Sequence, residues 1–174
     1  MMPRTVYFFD AVDRQKPVDD STLKVEDNLE EFTRITSHDL DYWKQQAESV
    51  SDSGKSVIAS LWGTALGDIA LVPGLNLKDP KGIRGVAEWY ISTLIREDFV
   101  KEIFDRQTDI AVENLKDIYN AIGNTIDAVF ICGTDFGTQN STFCSPETYA
   151  RVWLPYYKKV NDWIHRNTGW KTFK

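Results

Sequence analysis

Two short loops combine glycines with a carboxylate, a pattern that can hold a small ligand and move a proton. Residues 133–139 read Gly-Thr-Asp-Phe-Gly-Thr-Gln, and residues 62–68 read Trp-Gly-Thr-Ala-Leu-Gly-Asp. Glycine lets the backbone approach a ligand closely, and partial burial brings a carboxyl group toward the pKa range of proton transfer. We therefore assign Asp135 a candidate catalytic role. The residues expected to line the substrate site are Trp62, Gly63, Asp68, Gly133, Thr134, Phe136, Gly137, Thr138 and Gln139.

The same two loops have a structural interpretation. Asp68 and Asp135 could accept backbone hydrogen bonds and hold their own turns. Thr138 and Gln139 could either bind a substrate or brace the turn. From the residues alone, both interpretations stay open.

Other chemical motifs are absent from the sequence. Neither glycine loop continues into the Gly-Lys-Ser/Thr of a P-loop or matches a dinucleotide fingerprint. No Ser-His-Asp or Cys-His arrangement can be assembled, and we expect structural roles for His38 and His165. Cys132 and Cys144 match no common zinc spacing, so each is expected to be a small buried apolar residue.

Helical and strand patterns alternate along the chain, which predicts an α/β fold with a parallel sheet. Strands are expected at 55–63, 126–132 and from 170 onward, while 5–9 reads as a short strand or an apolar arm. Helices are predicted from Thr36 or Ser37 to about Val50, over 85–122 with a break at 96–98, and after Ser145 with a kink at Pro155. Ligand sites of such folds lie where the strands end, which is where both glycine loops lie.

Composition and charge exclude several classes of protein. The net charge is −6 with acidic and basic residues interspersed, so no nucleic-acid footprint is expected. No apolar stretch approaches the roughly 20 residues of a membrane span, and no secretory leader is recognisable. We therefore predict a cytoplasmic protein, with its six Trp residues mostly in the core.

Several motifs together resemble the uroporphyrinogen decarboxylase-like superfamily. The resemblance runs from about residue 5 to the end of the chain, and no single motif is specific by itself. It rests on the segments 67–73 (Gly-Asp-Ile-Ala-Leu-Val-Pro), 80–84 (Pro-Lys-Gly-Ile-Arg), 133–139, 145–147 (Ser-Pro-Glu), 154–159 (Leu-Pro-Tyr-Tyr-Lys-Lys), 161–165 and 170–174 (Trp-Lys-Thr-Phe-Lys).

The resemblance implies that residues 1–174 form one partial (β/α)8 TIM-type barrel domain, an internal piece of a longer barrel. One branch of the superfamily decarboxylates the acetate groups of a tetrapyrrole without a cofactor; there Asp135 would orient pyrrole N–H groups. The other branch is methyltransferase-like, acts on a corrinoid and a methyl donor, and uses zinc. There Asp135 and Gln139 would line the pocket.

Two departures favour the methyltransferase-like branch. The Arg-rich glycine loop of the decarboxylases is not found near the N-terminus, and 133–137 replaces their Phe-Asp-Ser-type motif. In the methyltransferase-like branch, a His-x-Cys-Gly segment with zinc ligands follows the equivalent of 170–174. We therefore expect no metal site in this chain, with zinc, a corrinoid and a corrinoid protein as possible partners of the full-length protein, and no activity of the 174 residues alone.

A third hypothesis is a non-catalytic interaction domain. A part-barrel has two unpaired sheet edges, and such edges invite association. The sequence therefore also predicts a possible homodimer through its open edges.

Overall fold

Three short parallel strands form the sheet. The computed structural model describes residues 15–61, 79, 81–131, 136–137 and 139–173. The helices are α1 (Ser37–Ser51), α2 (Val86–Ile95), α3 (Glu97–Ile122), α4 (Pro146–Val152) and α5 (Leu154–Asn167), and the strands are β1 (Ile58–Ser60), β2 (Ala128–Phe130) and β3 (Lys171–Phe173). This confirms the predicted α/β class; the apolar segment 5–9 lies outside the described residues.

The strands lie side by side in the order in which the chain makes them. β2 is central and pairs in parallel with β1 on one side and with β3 on the other. The register aligns Ser60 with Phe130 and Phe130 with Phe173. The carboxyl-terminal ends of the three strands therefore lie side by side at one end of the sheet.

The helices form a second layer in the same order as the strands. α1 packs against α3, and α3 packs against α5. Ala59 and Val129 are buried in one core cluster with residues of these helices. On the opposite face of the sheet, by contrast, Ile58 is 58% exposed and Phe173 is 45% exposed. Among the described residues, the sheet is thus covered on one face and open on the other.

Local sequence explains where α1 begins and where α3 ends. Thr36 accepts a hydrogen bond from the Asp39 N–H, and the Asp39 carboxylate accepts one from the Thr36 N–H, which is a capping box. The helix α3 ends at Gly123, whose φ of +58° suits glycine. Its buried side is an apolar stripe at helical spacing, which includes Val100, Ile103, Phe104, Ala111, Leu115, Ile118 and Ile122.

None of the helices in the described ranges is both long and apolar enough to cross a bilayer.

Two helix interruptions match their predicted positions. Arg96 separates α2 from α3 and forms ion pairs with Asp20 and Glu88. Trp153 separates α4 from α5, so the segment around Pro155 is two helices and not one kinked helix. Pro155 has no N–H to continue the hydrogen bonding of α4, but it fits the first turn of α5.

A buried polar cluster fixes the segment before α2. Arg84, which is 1% exposed, pairs with Glu31 and donates to the carbonyl oxygens of Asp27 (2.7 Å) and Lys81 (2.9 Å). Asn28 is fully buried beside it and bonds to the backbone of Ile83. This cluster holds a 3-10 turn at Val25–Asn28 against the loop that leads into α2.

Candidate functional site

The strands β1 and β2 end side by side, at the carboxyl-terminal end of the sheet. Leu61 and Ile131, the next residue after each strand, are both buried. The Ile131 N–H also donates to the Phe173 carbonyl oxygen at 2.9 Å, so the end of β3 lies there too. The last described residues of the two strand segments, Leu61 and Ile131, therefore follow strands that pair side by side. The predicted site residues Trp62, Gly63, Asp68, Gly133, Thr134, Asp135 and Thr138 lie outside the described residues, and their roles stay predictions.

Phe136 packs its ring against the helices. Its ring meets Tyr149 edge-on with centroids 5.0 Å apart, and it meets Trp153 edge-on at 5.4 Å. Edge-to-face contacts of this kind stabilise a fold beyond simple burial. Phe136 is thus held against α4 and against Trp153, which precedes α5, and its predicted contact with substrate stays a prediction.

Gly137 lies in a tight turn that follows Phe136. It forms an antiparallel bridge with Thr142, and the Phe143 N–H donates to the Phe136 carbonyl oxygen at 2.9 Å. A Cβ atom at position 137 would lie 2.9 Å from the Ser141 carbonyl oxygen, so the turn has no room for a side chain. Gln139 is exposed at the tip of this turn. These contacts support the bracing interpretation of the loop without testing ligand contact.

Two aromatic rings on the open face of the sheet were missed by the sequence analysis. Phe130 and Phe173 are the last residues of β2 and β3, and their ring centroids lie 5.0 Å apart. They lie at the carboxyl-terminal ends of the two strands, and their rings are tilted by 40° to each other. The period of two along a strand would have placed Phe130 on the same face as Ala128. Only the pairing of β2 with β3 brings Phe173 beside it.

A cleft of about 500 Å³ runs between α5 and β3. Its walls include Leu154, Tyr157, Asn161, His165 and Phe173. His165 Nε2 lies 3.1 Å from Thr172 Oγ1, which gives His165 the structural partner expected of it. The Asn161 Oδ1 atom is buried without a hydrogen-bond partner.

Two titratable groups near the turn, Cys144 and Tyr149, favour their neutral forms. Burial raises the pKa of the Cys144 thiol, and burial followed by the nearby Cys144 raises the pKa of the Tyr149 hydroxyl. A cysteine binds zinc as the thiolate, and the burial of Cys144 disfavours that form. Across the described ranges, no three His, Cys, Asp or Glu side chains are grouped to hold a metal ion. The described residues therefore do not fit a zinc site.

Comparisons of the chain with protein families, with curated proteins and with solved structures gave no match.

Proposed function

We propose that the chain is part of a TIM-type barrel of the uroporphyrinogen decarboxylase-like kind, and that it binds a flat tetrapyrrole or corrinoid ligand above the ends of its strands. The observation that carries the proposal is the register of β1, β2 and β3. It aligns their last residues, Ser60, Phe130 and Phe173, at the carboxyl-terminal end of the sheet. In such barrels, the ligand site is formed by the loops that follow neighbouring parallel strands.

The arrangement of the layers supports the barrel part of the proposal. In a doubly wound fold, helices cover both faces of the sheet. Here, the described helices follow the strand order on one face, while Ile58 and Phe173 are exposed on the other. A parallel sheet with one open face gains its second cover when it curves into a barrel and packs its inner side chains against each other.

The aromatic residues at the carboxyl-terminal ends of β2 and β3 support a flat ligand. Phe130 and Phe173 offer aromatic rings, and Phe136 is held in place by its contact with Tyr149. A conjugated macrocycle gains from stacking on such rings, while carboxylates and amides orient its polar edge. In this proposal Asp135 and Asp68 supply that polar contact, and Gln139 lies at the rim.

Methyl transfer is the proposed activity of the full-length protein, as the departures from the decarboxylase motifs favour. Zinc would activate the thiol that receives the methyl group, with ligands from residues other than those described. The described part of the chain would bind and orient the macrocycle, and no step of the transfer is assigned to it.

Ligand titration tests the proposal. The chain is titrated with cobalamin and, separately, with uroporphyrin, while quenching of tryptophan emission and the visible spectrum of the ligand are followed. We expect saturable binding of cobalamin that weakens at least tenfold in Phe130→Leu and in Asp135→Asn. The control Tyr119→Leu, which packs on Trp170 just before β3 and so lies at the opposite ends of the strands, should bind as the parent does.

The alternative outcomes are distinct. Binding of uroporphyrin without binding of cobalamin would replace methyl transfer with tetrapyrrole decarboxylation, to be checked by incubation with uroporphyrinogen. If neither macrocycle binds a chain that is folded by circular dichroism, the proposed site is wrong.

A further inference from the structure

The helices α3 and α5 lie side by side in the helix layer and run in the same direction. The Tyr156 hydroxyl, near the start of α5, donates to the Lys101 carbonyl oxygen at 3.1 Å. One turn later, Lys159 pairs with Asp109 at 2.7 Å. The contacts therefore advance together along both helices. Each helix buries one side against the core, so its opposite side faces away from the sheet.

The outward side of α3 is acidic. The helix as a whole carries seven acidic and three basic residues. Four exposed carboxylates follow one another at intervals of three or four residues, which places them in one row along the helix: Asp98, Glu102, Asp105 and Asp109. This side of α3 therefore presents a row of negative charge.

The outward side of α5 is basic. The helix carries three basic residues and one aspartate, with histidine counted as neutral. Lys158, Lys159 and Arg166 are all exposed. Lys158 and Arg166 both pair with the carboxylate of Asp162, which can neutralise only one of them. The helix α5 thus keeps a net positive charge, although the net charge of the chain is −6.

An apolar groove lies between the two helices. It has a volume of about 560 Å³, and its walls include Val112, Pro155 and Trp163. Val112 and Trp163 are both partly exposed. Tryptophan is a frequent anchor of protein interfaces, where its large ring is removed from water. An apolar centre with a charged rim is the usual arrangement of a protein–protein contact.

A second copy of this chain has the complementary arrangement of charge. A two-fold axis that runs between α3 and α5, parallel to both, places α3 of each copy opposite α5 of the other at the same height. Asp105 and Asp109 then lie opposite Lys158 and Lys159 of the second copy, and the apolar grooves of the two copies meet. An axis perpendicular to the helices would instead bring α3 against α3, where like charges repel.

We propose that two copies of this chain form a symmetric dimer in which their α3–α5 faces pack against each other. A face two helices wide, about 20 Å, and as long as the 26 residues of α3, about 39 Å, offers up to about 800 Å². Each partner of a standard protein–protein contact buries roughly 800 Å². The face lies on the outer side of the helix layer, so the dimer uses neither the sheet nor the proposed ligand site and does not depend on that site.

Reversal of charge on each helix tests the proposal. The α3 variant carries Asp105→Lys and Asp109→Lys, and the α5 variant carries Lys158→Glu and Lys159→Glu. All four residues are exposed, so the variants should fold. Association is measured by sedimentation velocity over a hundredfold range of concentration, after circular dichroism has established that each variant is folded.

The expected results identify the two helices that meet. The parent should dimerise as concentration rises, and so should a control with Lys24→Glu and Lys55→Glu, at two exposed residues outside α3 and α5. Each reversal variant alone should be monomeric, because its α3 and its α5 then carry like charges. An equal mixture of the two should form a one-to-one heterodimer, since both of its α3–α5 contacts again join opposite charges.

Several results would overturn the proposal. One is a parent that stays monomeric at every concentration. Others are a dimer that persists in both reversal variants, loss of the dimer in the control, and a mixture of the two variants that stays monomeric. If a variant fails to fold, the parent alone decides. Its dimer affinity should fall at least tenfold between about 0.05 M and about 0.5 M salt, because salt screens exposed charges, and an unchanged affinity overturns the proposal.

Discussion

The Asn28 side chain pairs with the backbone of Ile83 as a neighbouring strand would. Its Nδ2 donates to the Ile83 carbonyl oxygen at 2.8 Å, and its Oδ1 accepts from the Ile83 N–H at 2.9 Å. Both residues are fully buried. One amide thus satisfies two backbone groups that have no access to water, and it joins two segments 55 residues apart in the chain.

Removal of this amide should destabilise the fold strongly. In Asn28→Ala, the Ile83 N–H and carbonyl groups stay buried without partners, and each such group costs roughly 1–3 kcal/mol. We expect urea unfolding to give a free energy of unfolding lower by about 3 kcal/mol. The exposed Gln45→Ala on α1 should change it by less than about 0.5 kcal/mol. Equal losses in the two variants would contradict this role of Asn28.

Gly82 should be less tolerant of alanine than Gly54, although both have positive φ, at +72° and +66°. A Cβ at position 82 would lie 2.2 Å from Asn28 Oδ1, whereas one at position 54 meets nothing within 4 Å. Gly54→Ala should therefore lose only the roughly 1–2 kcal/mol of backbone strain, while Gly82→Ala also breaks the Asn28 contacts. In an Asn28→Ala background, the added effect of Gly82→Ala should shrink toward that of Gly54→Ala. A loss that is the same in both backgrounds would rule out the proposed coupling.

Phe136 should contribute to stability whatever its part in binding. Phe136→Leu removes edge-to-face contacts with Tyr149 and Trp153. We expect the free energy of unfolding to fall by about 1–2 kcal/mol. Phe143→Leu is the natural comparison, because Phe143 belongs to the same turn but is partly exposed and stacks only on Tyr90 among the described rings. A smaller loss at Phe136 than at Phe143 would show that the anchoring contacts are not those described here.

Tyr156 should make stability fall in strong alkali. Burial, followed by the nearby charge of Asp105, raises the pKa of its hydroxyl to about 12. The hydroxyl donates to the Lys101 carbonyl oxygen at 3.1 Å. The unfolded chain has a tyrosine pKa of about 10, so above that pH it loses this proton before the folded protein does. The Tyr156 contribution to stability is complete below about pH 10 and is lost by about pH 12, amounting to roughly 2 kcal/mol.

Tyr156→Phe isolates that contribution. The decline of stability between pH 10 and pH 12 should be shallower in this variant than in the parent, as measured by urea unfolding at several pH values. Tyr42→Phe, changed at an exposed ring, should keep the steeper decline. Identical slopes in the parent and in Tyr156→Phe would remove Tyr156 as the source.

The features that local sequence predicted well are those set by neighbours in the chain. The start of α1 follows from Thr36 and Asp39, and the end of α3 follows from Gly123. The strand β2 was predicted from the apolar run 126–132 that contains it. In each case, a hydrogen bond or a burial pattern within a few residues decides the structure.

What the sequence left open depends on contacts between distant segments. Nothing near Asn28 indicates that its amide pairs with Ile83, and nothing near Phe136 indicates that its ring packs on Tyr149. The aromatic pair Phe130 and Phe173 exists only because β2 and β3 are neighbours in register. Asp135 and Asp68 lie outside the described residues, so their chemistry rests on the sequence alone.

The central position of β2 has a consequence for amide hydrogen exchange. Its alternate N–H groups are bonded to different strands, and the buried Val129 lies beneath the helix layer. Fraying of either outer strand frees only half of them. The slowest-exchanging protons of the chain should therefore belong to this strand, and their exchange rate should report opening of the whole molecule.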